Sequence, residues 1–180
     1  TDGDVADADN NPATPSGLLT INVDDDTPSA ALSVAGLSLS HDETPLEQAD
    51  AQDVAGPLAI FAGVEVTGDD PHVAGAVIGY ARDVAALAAT GLGTGADGGT
   101  TVFSLTLSAQ GVDSGLDTTE GQSIFLYVES GIVVGRAVNQ AGAAAFAIAV
   151  EADGSVNLVQ YLSILHPTGG LASPDESVAI

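Results

Sequence analysis

Three acidic residues that share one glycine-containing loop are the first to suggest chemistry. The loop GVDSGLDTTEGQ carries Asp113, Asp117 and Glu120. A loop of this composition bends easily enough to direct three carboxylates toward one point. Calcium is held by oxygen ligands of this kind. The sequence therefore predicts a calcium site in the loop.

Other acids stand at turns that are expected to converge on this loop. Asp69 and Asp70 follow an apolar segment and precede a proline, and Asp97 lies in the glycine-rich stretch GTGADGG. Carboxylates from several loops commonly complete one calcium coordination shell. We therefore expect Asp69, Asp70 and Asp97 to be further ligands, although Asp97 also suits an ordinary turn.

Two acidic clusters precede position 29. Asp24, Asp25 and Asp26 end a short apolar segment and are followed by Thr-Pro, which is typical of joints where tandem extracellular β-domains share calcium. Asp2 and Asp4 belong to a segment that invites comparison with an EF-hand. The glycine has the wrong offset and no Glu occupies the twelfth position, so an EF-hand is rejected. A looser calcium site and a solvated acidic linker remain as alternatives there.

The charge balance restricts the classes of partner. The 180 residues include 25 Asp and Glu but only 2 Lys and Arg, for a formal net charge of -23. A compact state of this charge repels itself unless cations offset it, so divalent cations are the first partner to consider. Nucleic acid and anionic membranes are disfavoured, because both require a basic surface. The chain has no Cys, which excludes disulfides, thiolate zinc sites and thiol nucleophiles.

The sequence gives no support for an enzyme. His41, His72 and His166 lie far apart, and none stands in a Ser-His-Asp or HExxH arrangement. Paired carboxylates occur by chance in so acidic a chain and do not indicate a glycosidase. His41 lies beside two acids, but we interpret it as a surface histidine that caps a turn.

Strands must position the acidic loops. Residues 101–108 alternate between apolar and polar side chains, which predicts a half-buried strand before the central loop. Residues 124–128 and 132–135 are strand-like and flank Ser-Gly, which predicts a hairpin. A second hairpin is predicted from residues 143–151 and 155–164, which flank Ala-Asp-Gly.

The earlier part of the chain has weaker signals. Residues 17–23, 30–40 and 58–66 read as strands, with Phe61 as a core residue, and the alanine-rich stretch 80–89 predicts one short helix. Residues 1–28 read as an acidic linker with a leading strand, and 29–180 as one domain. No apolar run reaches the length of a membrane span. The predicted fold is all-β, an antiparallel β-sandwich with long acidic loops, stabilised by calcium.

An ordered series of segments resembles a known family. VDDDTPSA, DET, PLAIFAGVE, GTGADGGTTVFSLTLSA, DSGLDTTEGQSIFLYVESGIVVGR, AAFAIAVEADGSVNLVQYLSILHP and PDES together resemble a repeat domain of RTX adhesins, giant bacterial proteins exported by type I secretion. The likeness spans about residues 24–180. It implies a calcium-stabilised β-sandwich in an extracellular adhesin at the bacterial surface, with roles in cell adhesion and biofilm formation.

The resemblance leaves three functions open. One is a ligand-binding domain that grips peptide or protein ends on target cells through calcium, with Tyr80, Arg82 and Arg136 as the residues that touch the ligand. Another is an extender repeat that calcium makes rigid and that projects the adhesin tip. The third is a calcium-dependent glycan-binding module. Neighbouring domains of the same adhesin are further expected partners, and the isolated domain is expected to be a monomer.

Overall fold

The computed structural model describes residues 29–34, 38–42, 50–75, 77–84, 86–93 and 99–166. Within them lie eight β-strands and one short 3-10 helix. In chain order these are β1 (Ser29–Val34), the 3-10 helix (Ala59–Phe61), β2 (Gly79–Asp83), β3 (Leu87–Gly93), β4 (Val112–Asp117), β5 (Ser123–Glu129), β6 (Ile132–Ala137), β7 (Ala144–Val150) and β8 (Val156–Gln160). The described part of the chain is therefore nearly all β, as predicted, and its antiparallel sheets are consistent with a β-sandwich.

The larger sheet has six strands in the order β2-β8-β7-β6-β5-β4, and every neighbouring pair is antiparallel. Strands β4 to β8 form a meander, in which each strand pairs with the next along the chain. Strands β1 and β3 form a separate two-stranded antiparallel sheet. The backbone N–H of Leu87 at the start of β3 donates to the Gly154 carbonyl in the β7–β8 turn, which attaches this small sheet to the large one.

Both faces of the six-stranded sheet are covered by apolar side chains. On one face the 3-10 helix and its neighbours pack against β6, β7 and β8, with Phe61 only 5% exposed. On the other face Leu105 and Leu107 pack against a cluster around Ile124 and Phe146. Because the central strands are buried on both faces, β6 and β7 show nearly continuous burial rather than strict alternation.

Both predicted hairpins are confirmed. Ser130 and Gly131 join β5 to β6 with φ angles of 50° and 84°, the sign that a two-residue hairpin turn of type I′ requires. Gly154 closes the β7–β8 hairpin with a φ of 86°. Glycine adopts the positive φ angles of Gly131 and Gly154 without a steric penalty, which is why Gly-containing turns indicated these hairpins.

Three predicted elements are wrong. The alanine-rich stretch 80–89 contains no described helix. Gly79–Asp83 is strand β2, which pairs with β8, and Leu87–Gly93 is strand β3, which pairs with β1. The predicted strand 58–66 is instead a 3-10 helix with turns, although Phe61 is confirmed as a core residue. Residues 101–108 belong to no strand, whereas Val112–Asp117, predicted as loop, pairs with β5.

Two further predictions concern the early part of the chain. The predicted strand 30–40 is confirmed only as β1, since residues 38–42 are not in a strand. The predicted leading strand 17–23 lies outside the described residues, as does the acidic linker before it. Among the residues that the structure describes there is no helix with the length and hydropathy of a membrane span.

Candidate functional site

Two acidic loops meet at one end of the six-stranded sheet and enclose a pocket of about 200 Å³. One loop carries Asp69 and Asp70, and the other is the β4–β5 turn with Glu120. The remaining lining is Pro71, Thr118, Thr119, Gln122, Ala143, Leu162 and Ser163. The structure thus brings together three of the acids that the sequence singled out as metal ligands. We call this cavity the acidic pocket.

The backbone around Gly68 holds the first loop in place. Gly68 N–H donates to the Ala144 carbonyl at 2.9 Å, and Ala144 N–H donates to the Val66 carbonyl at 2.8 Å. A Cβ at position 68 would overlap the Leu162 side chain, so only glycine allows this close approach. The result is that the two acids after Gly68 lie beside the end of β8.

Asp70 is a buried structural residue of the pocket wall, only 4% exposed. Its carboxylate accepts hydrogen bonds from the backbone N–H of Ser163 at 2.6 Å and of His72 at 2.8 Å. Burial by itself would raise the pKa of Asp70, but the hydrogen bonds from Ser163 and His72 outweigh burial and lower it. Asp70 is therefore charged and ties residues 69–72 to the segment after β8.

Asp69 and Glu120 present the more accessible carboxylates of the pocket. Both residues are exposed, and Glu120 Oε1 lies 3.1 Å from His72 Nε2, a surface contact in which both side chains are more than half exposed. Exposed pairs of this kind contribute little stability. The carboxylate of Glu120 is therefore available to a ligand at low cost.

The donor atoms of the acidic pocket suit a hard cation. Its polar lining consists of carboxylate, hydroxyl and amide oxygens, the ligand types that calcium prefers, and sulfur is absent from it. Within the described residues, no three His, Asp or Glu side chains are arranged to hold a metal ion by themselves. Asp69 and Glu120 are the two exposed acids of this lining.

Two further predicted metal ligands belong to β4. Asp113 is exposed on β4, where its carboxylate accepts the Gly115 N–H at 2.9 Å. Asp117 ends β4, and its carbonyl accepts the Leu165 N–H at 2.8 Å. Neither residue lines the acidic pocket. Six more predicted ligands lie outside the described residues: Asp2, Asp4, Asp24, Asp25, Asp26 and Asp97.

Arg136, predicted to touch a ligand, is buried and fully engaged within the chain. Its guanidinium forms a two-pronged ion pair with Glu129, with both N–O distances at 2.6 Å. The remaining N–H groups donate to the Gly142 carbonyl at 2.9 Å and the Glu65 carbonyl at 3.3 Å. The bond to Glu129 raises the pKa of Arg136, against the effect of burial. All five donors of this side chain are used, and a ligand would have to displace one of these acceptors.

A second cavity, of about 460 Å³, borders this ion pair. Its wall includes Arg136, Glu129 and Val66, and Val66 has a φ of 51°, an angle that β-branched residues rarely adopt. Because Arg136 and Glu129 bind each other, both side chains of this ion pair are already engaged at the cavity wall.

Arg82 and Tyr80 also contact the chain itself. Arg82 Nη2 donates to Glu151 Oε2 at 2.9 Å, and Asn157 Nδ2 donates to the other oxygen of that carboxylate at 3.1 Å. Tyr80 is half-buried against the core face that contains Tyr161. Burial raises the pKa of Tyr80, and burial together with the charge of Tyr80 raises the pKa of Tyr161 to about 12.

His41 is not the surface histidine that the sequence suggested. Its side chain is 3% exposed, and Nδ1 lies 2.8 Å from Oδ1 of Asp53, which is 2% exposed. The same carboxylate accepts the Asp50 N–H at 2.9 Å. The pair fastens residues 38–42 to the segment that flanks β2. Only a contact twelve residues away buries this histidine, so local sequence gave no signal for it.

Replacing Asp70 by asparagine is expected to cost about 2 kcal/mol of stability at neutral pH, because one of two backbone donors loses its acceptor in a buried site. Since the pKa of Asp70 is lowered on folding, its contribution is complete above the ordinary value of 3.8 and disappears as the pH falls through the folded value. The difference in the free energy of unfolding between wild type and Asp70→Asn should therefore become smaller in acid. Denaturant unfolding at several pH values, in chelator, measures it.

The neighbouring exposed residue supplies the control. Asp69→Asn removes the same charge from the same loop and should change the stability by no more than about 0.5 kcal/mol in chelator. Equal losses for the two variants would show that charge, and not the hydrogen bonds of Asp70, is responsible.

The fold and the pocket define an all-β domain with an antiparallel meander and an acidic cavity between its loops. A family model described as Domain of unknown function (DUF5801) matches residues 38–180. The chain therefore belongs to this family. Comparison with curated proteins found no match, and comparison with solved structures found none either.

Proposed function

We propose that this chain is a calcium-dependent ligand-binding domain of an extracellular bacterial adhesin, which binds the carboxylate ends of peptides or proteins on target cells. The supporting observation is the acidic pocket, where Asp69 and Glu120 come from separate loops and keep accessible carboxylates. The net charge of -23 supports a cation as the first partner. The resemblance to RTX adhesin repeats supplies the setting.

The proposed mechanism is a cationic bridge. Two carboxylates are too few to fill the six to eight oxygen positions around calcium, and the neutral oxygens nearby leave positions for water. A peptide carboxylate replaces that water and gains a direct contact with the ion. Without the ion the pocket and the ligand are both negative and repel each other. Binding of an acidic end by so acidic a domain therefore requires calcium.

A structural extender is the second proposal, and the engagement of the two arginines favours it. Arg136 is saturated by contacts within the chain, and Arg82 is paired with Glu151. In an extender, the arginine side chains stabilise the fold of the domain itself, and bound calcium makes the domain rigid. The two proposals differ in whether the ion keeps open positions.

Capture of peptides from a random library with free C-termini, in millimolar calcium and again in chelator, separates the proposals. A ligand-binding domain is expected to retain peptides with a common C-terminal signature in calcium alone. Glu120→Gln should abolish this capture, whereas Asp83→Asn, which removes one charge on β2 outside the pocket, should preserve it. Capture that is absent in calcium, or unaffected by Glu120→Gln, would contradict the ligand-binding proposal and favour the extender.

A further inference from the structure

Residues 101–108 form an extended segment that pairs with no other part of the described chain. Thr101, Phe103, Leu105 and Leu107 are half-buried, and Leu105 and Leu107 pack on the six-stranded sheet. The alternate side chains point outward, and Val102 is 78% exposed. This is the side-chain alternation of a strand. Among the described residues, however, no backbone hydrogen bond involves this segment. We call it the unpaired strand.

Each edge strand of the six-stranded sheet is covered in part by another segment, whereas the unpaired strand has no such cover among the described residues. Residues 52–54 cover the edge of β2 through Val54 N–H to the Tyr80 carbonyl and Arg82 N–H to the Gln52 carbonyl, both at 2.8 Å. The segment after β8 covers the end of β4. Exposed edges usually also carry charges, prolines or bulges that prevent pairing with other chains.

The unpaired strand lacks the charges and prolines that protect exposed edges. The stretch GTTVFSLTLSAQ, residues 99–110, has no ionisable side chain and no proline, within a chain of net charge -23. Its β-branched and aromatic residues favour strand conformation. Its backbone N–H and C=O groups lack partners within the described chain. Such groups form hydrogen bonds with an added strand.

We propose that the unpaired strand is a β-augmentation site, which binds an extended basic strand of another polypeptide. The choice of occupant follows from charge. An acidic strand, including a second copy of this chain, approaches against the repulsion of the whole domain, whereas a basic strand is attracted. Backbone hydrogen bonds provide the affinity, and the outward side chains Val102, Ser104 and Thr106 contact alternate residues of the partner. This site is separate from the acidic pocket and needs no calcium of its own.

Amide hydrogen exchange of the full chain, with synthetic peptides of about nine residues as probes, tests this proposal. In the first peptide Thr and Val alternate between terminal lysines; the second has glutamates in place of the lysines; the third keeps the lysines but has proline at alternate positions. All experiments contain the same excess of calcium, so failure here is distinguishable from failure of the calcium proposal.

In the free protein, the amides of residues 101–108 should exchange rapidly. The lysine-flanked peptide should slow every second amide by about tenfold or more, since successive residues of a strand direct their N–H groups to opposite edges. The glutamate-flanked peptide should bind more weakly, and the difference should close at high salt. The proline peptide should protect no amide.

Three results would overturn the proposal. Protection in the free protein that is independent of concentration would mean that another part of the chain, such as residues 17–23, already occupies the site. Protection that grows with protein concentration would identify a second copy as the occupant. Equal protection by the proline peptide, or of all amides alike, would show that pairing of backbone groups is not involved.

Discussion

Arg136→Ala is expected to lower the free energy of unfolding by about 2–3 kcal/mol, because it removes a buried guanidinium that donates five hydrogen bonds. Arg136 is 4% exposed, and its removal would strand the Glu129 carboxylate together with the Gly142 and Glu65 carbonyls. The Glu129 side chain is 29% exposed, so water replaces part of the lost pairing and limits the loss of stability. Denaturant unfolding of wild type and variant gives the difference directly.

The only other arginine provides a matched control. Arg82 is 29% exposed and its partner Glu151 is 34% exposed, so water already screens much of this pair. Arg82→Ala should therefore cost about 0–1 kcal/mol. Because both substitutions raise the negative charge of the protein by one unit, the difference between them isolates burial. Equal losses would show that net charge, and not the contacts of Arg136, governs stability.

Removal of calcium is expected to lower the melting temperature by roughly 10 °C. An ion bound only by the folded state stabilises it by about 4 kcal/mol at a thousandfold excess over its dissociation constant. In a chain of 180 residues, each kcal/mol shifts the melting temperature by about 2–4 °C. The net charge adds to the effect, because the folded state concentrates the negative charge that the ion offsets.

Thermal melts in calcium, in chelator, and in chelator with sodium chloride measure this dependence. Sodium chloride screens the repulsion between carboxylates without occupying a specific site, so it should restore only part of the stability. Full recovery with sodium chloride alone would show that calcium acts by screening and that no site is needed.

The sequence predicted the two hairpins because their local signals agree with their tertiary setting. Strand-like apolar segments flank Ser130-Gly131 and Ala152-Asp153-Gly154, and glycine adopts the positive φ angle that each turn needs. Local preference and sheet pairing favour the same structure here, so neither overrides the other.

The wrong predictions fall where tertiary contacts override local composition. β4 has the sequence VDSGLD, which reads as loop, yet it pairs with β5 through an irregular register around Gly115, whose φ is 75°. In the alanine-rich stretch 80–89, Ala81 is fully buried in β2 and pairs with Leu158 of β8. Alanine favours helices only when packing does not decide the structure.

The candidate site was predicted in part. The sequence predicted that the loop of Asp69 and Asp70 converges on the loop of Asp113, Asp117 and Glu120, and of these last three only Glu120 lines the shared pocket. Metal binding by these acids stays a prediction. The sequence could not predict that the Asp70 carboxylate accepts hydrogen bonds from two backbone N–H groups. Nor could it predict that Glu129 and two carbonyls accept all the hydrogen bonds of Arg136. Those contacts join residues up to 93 positions apart.

Isothermal titration of the full chain with calcium is the most direct test of the proposed calcium site in the acidic pocket. We expect wild type to bind calcium, Glu120→Gln to lose one binding event, and the charge-matched variant Asp83→Asn to retain all of them. Absence of binding to wild type, or an unchanged number of sites in Glu120→Gln, would contradict the assignment of calcium to the pocket between Asp69 and Glu120.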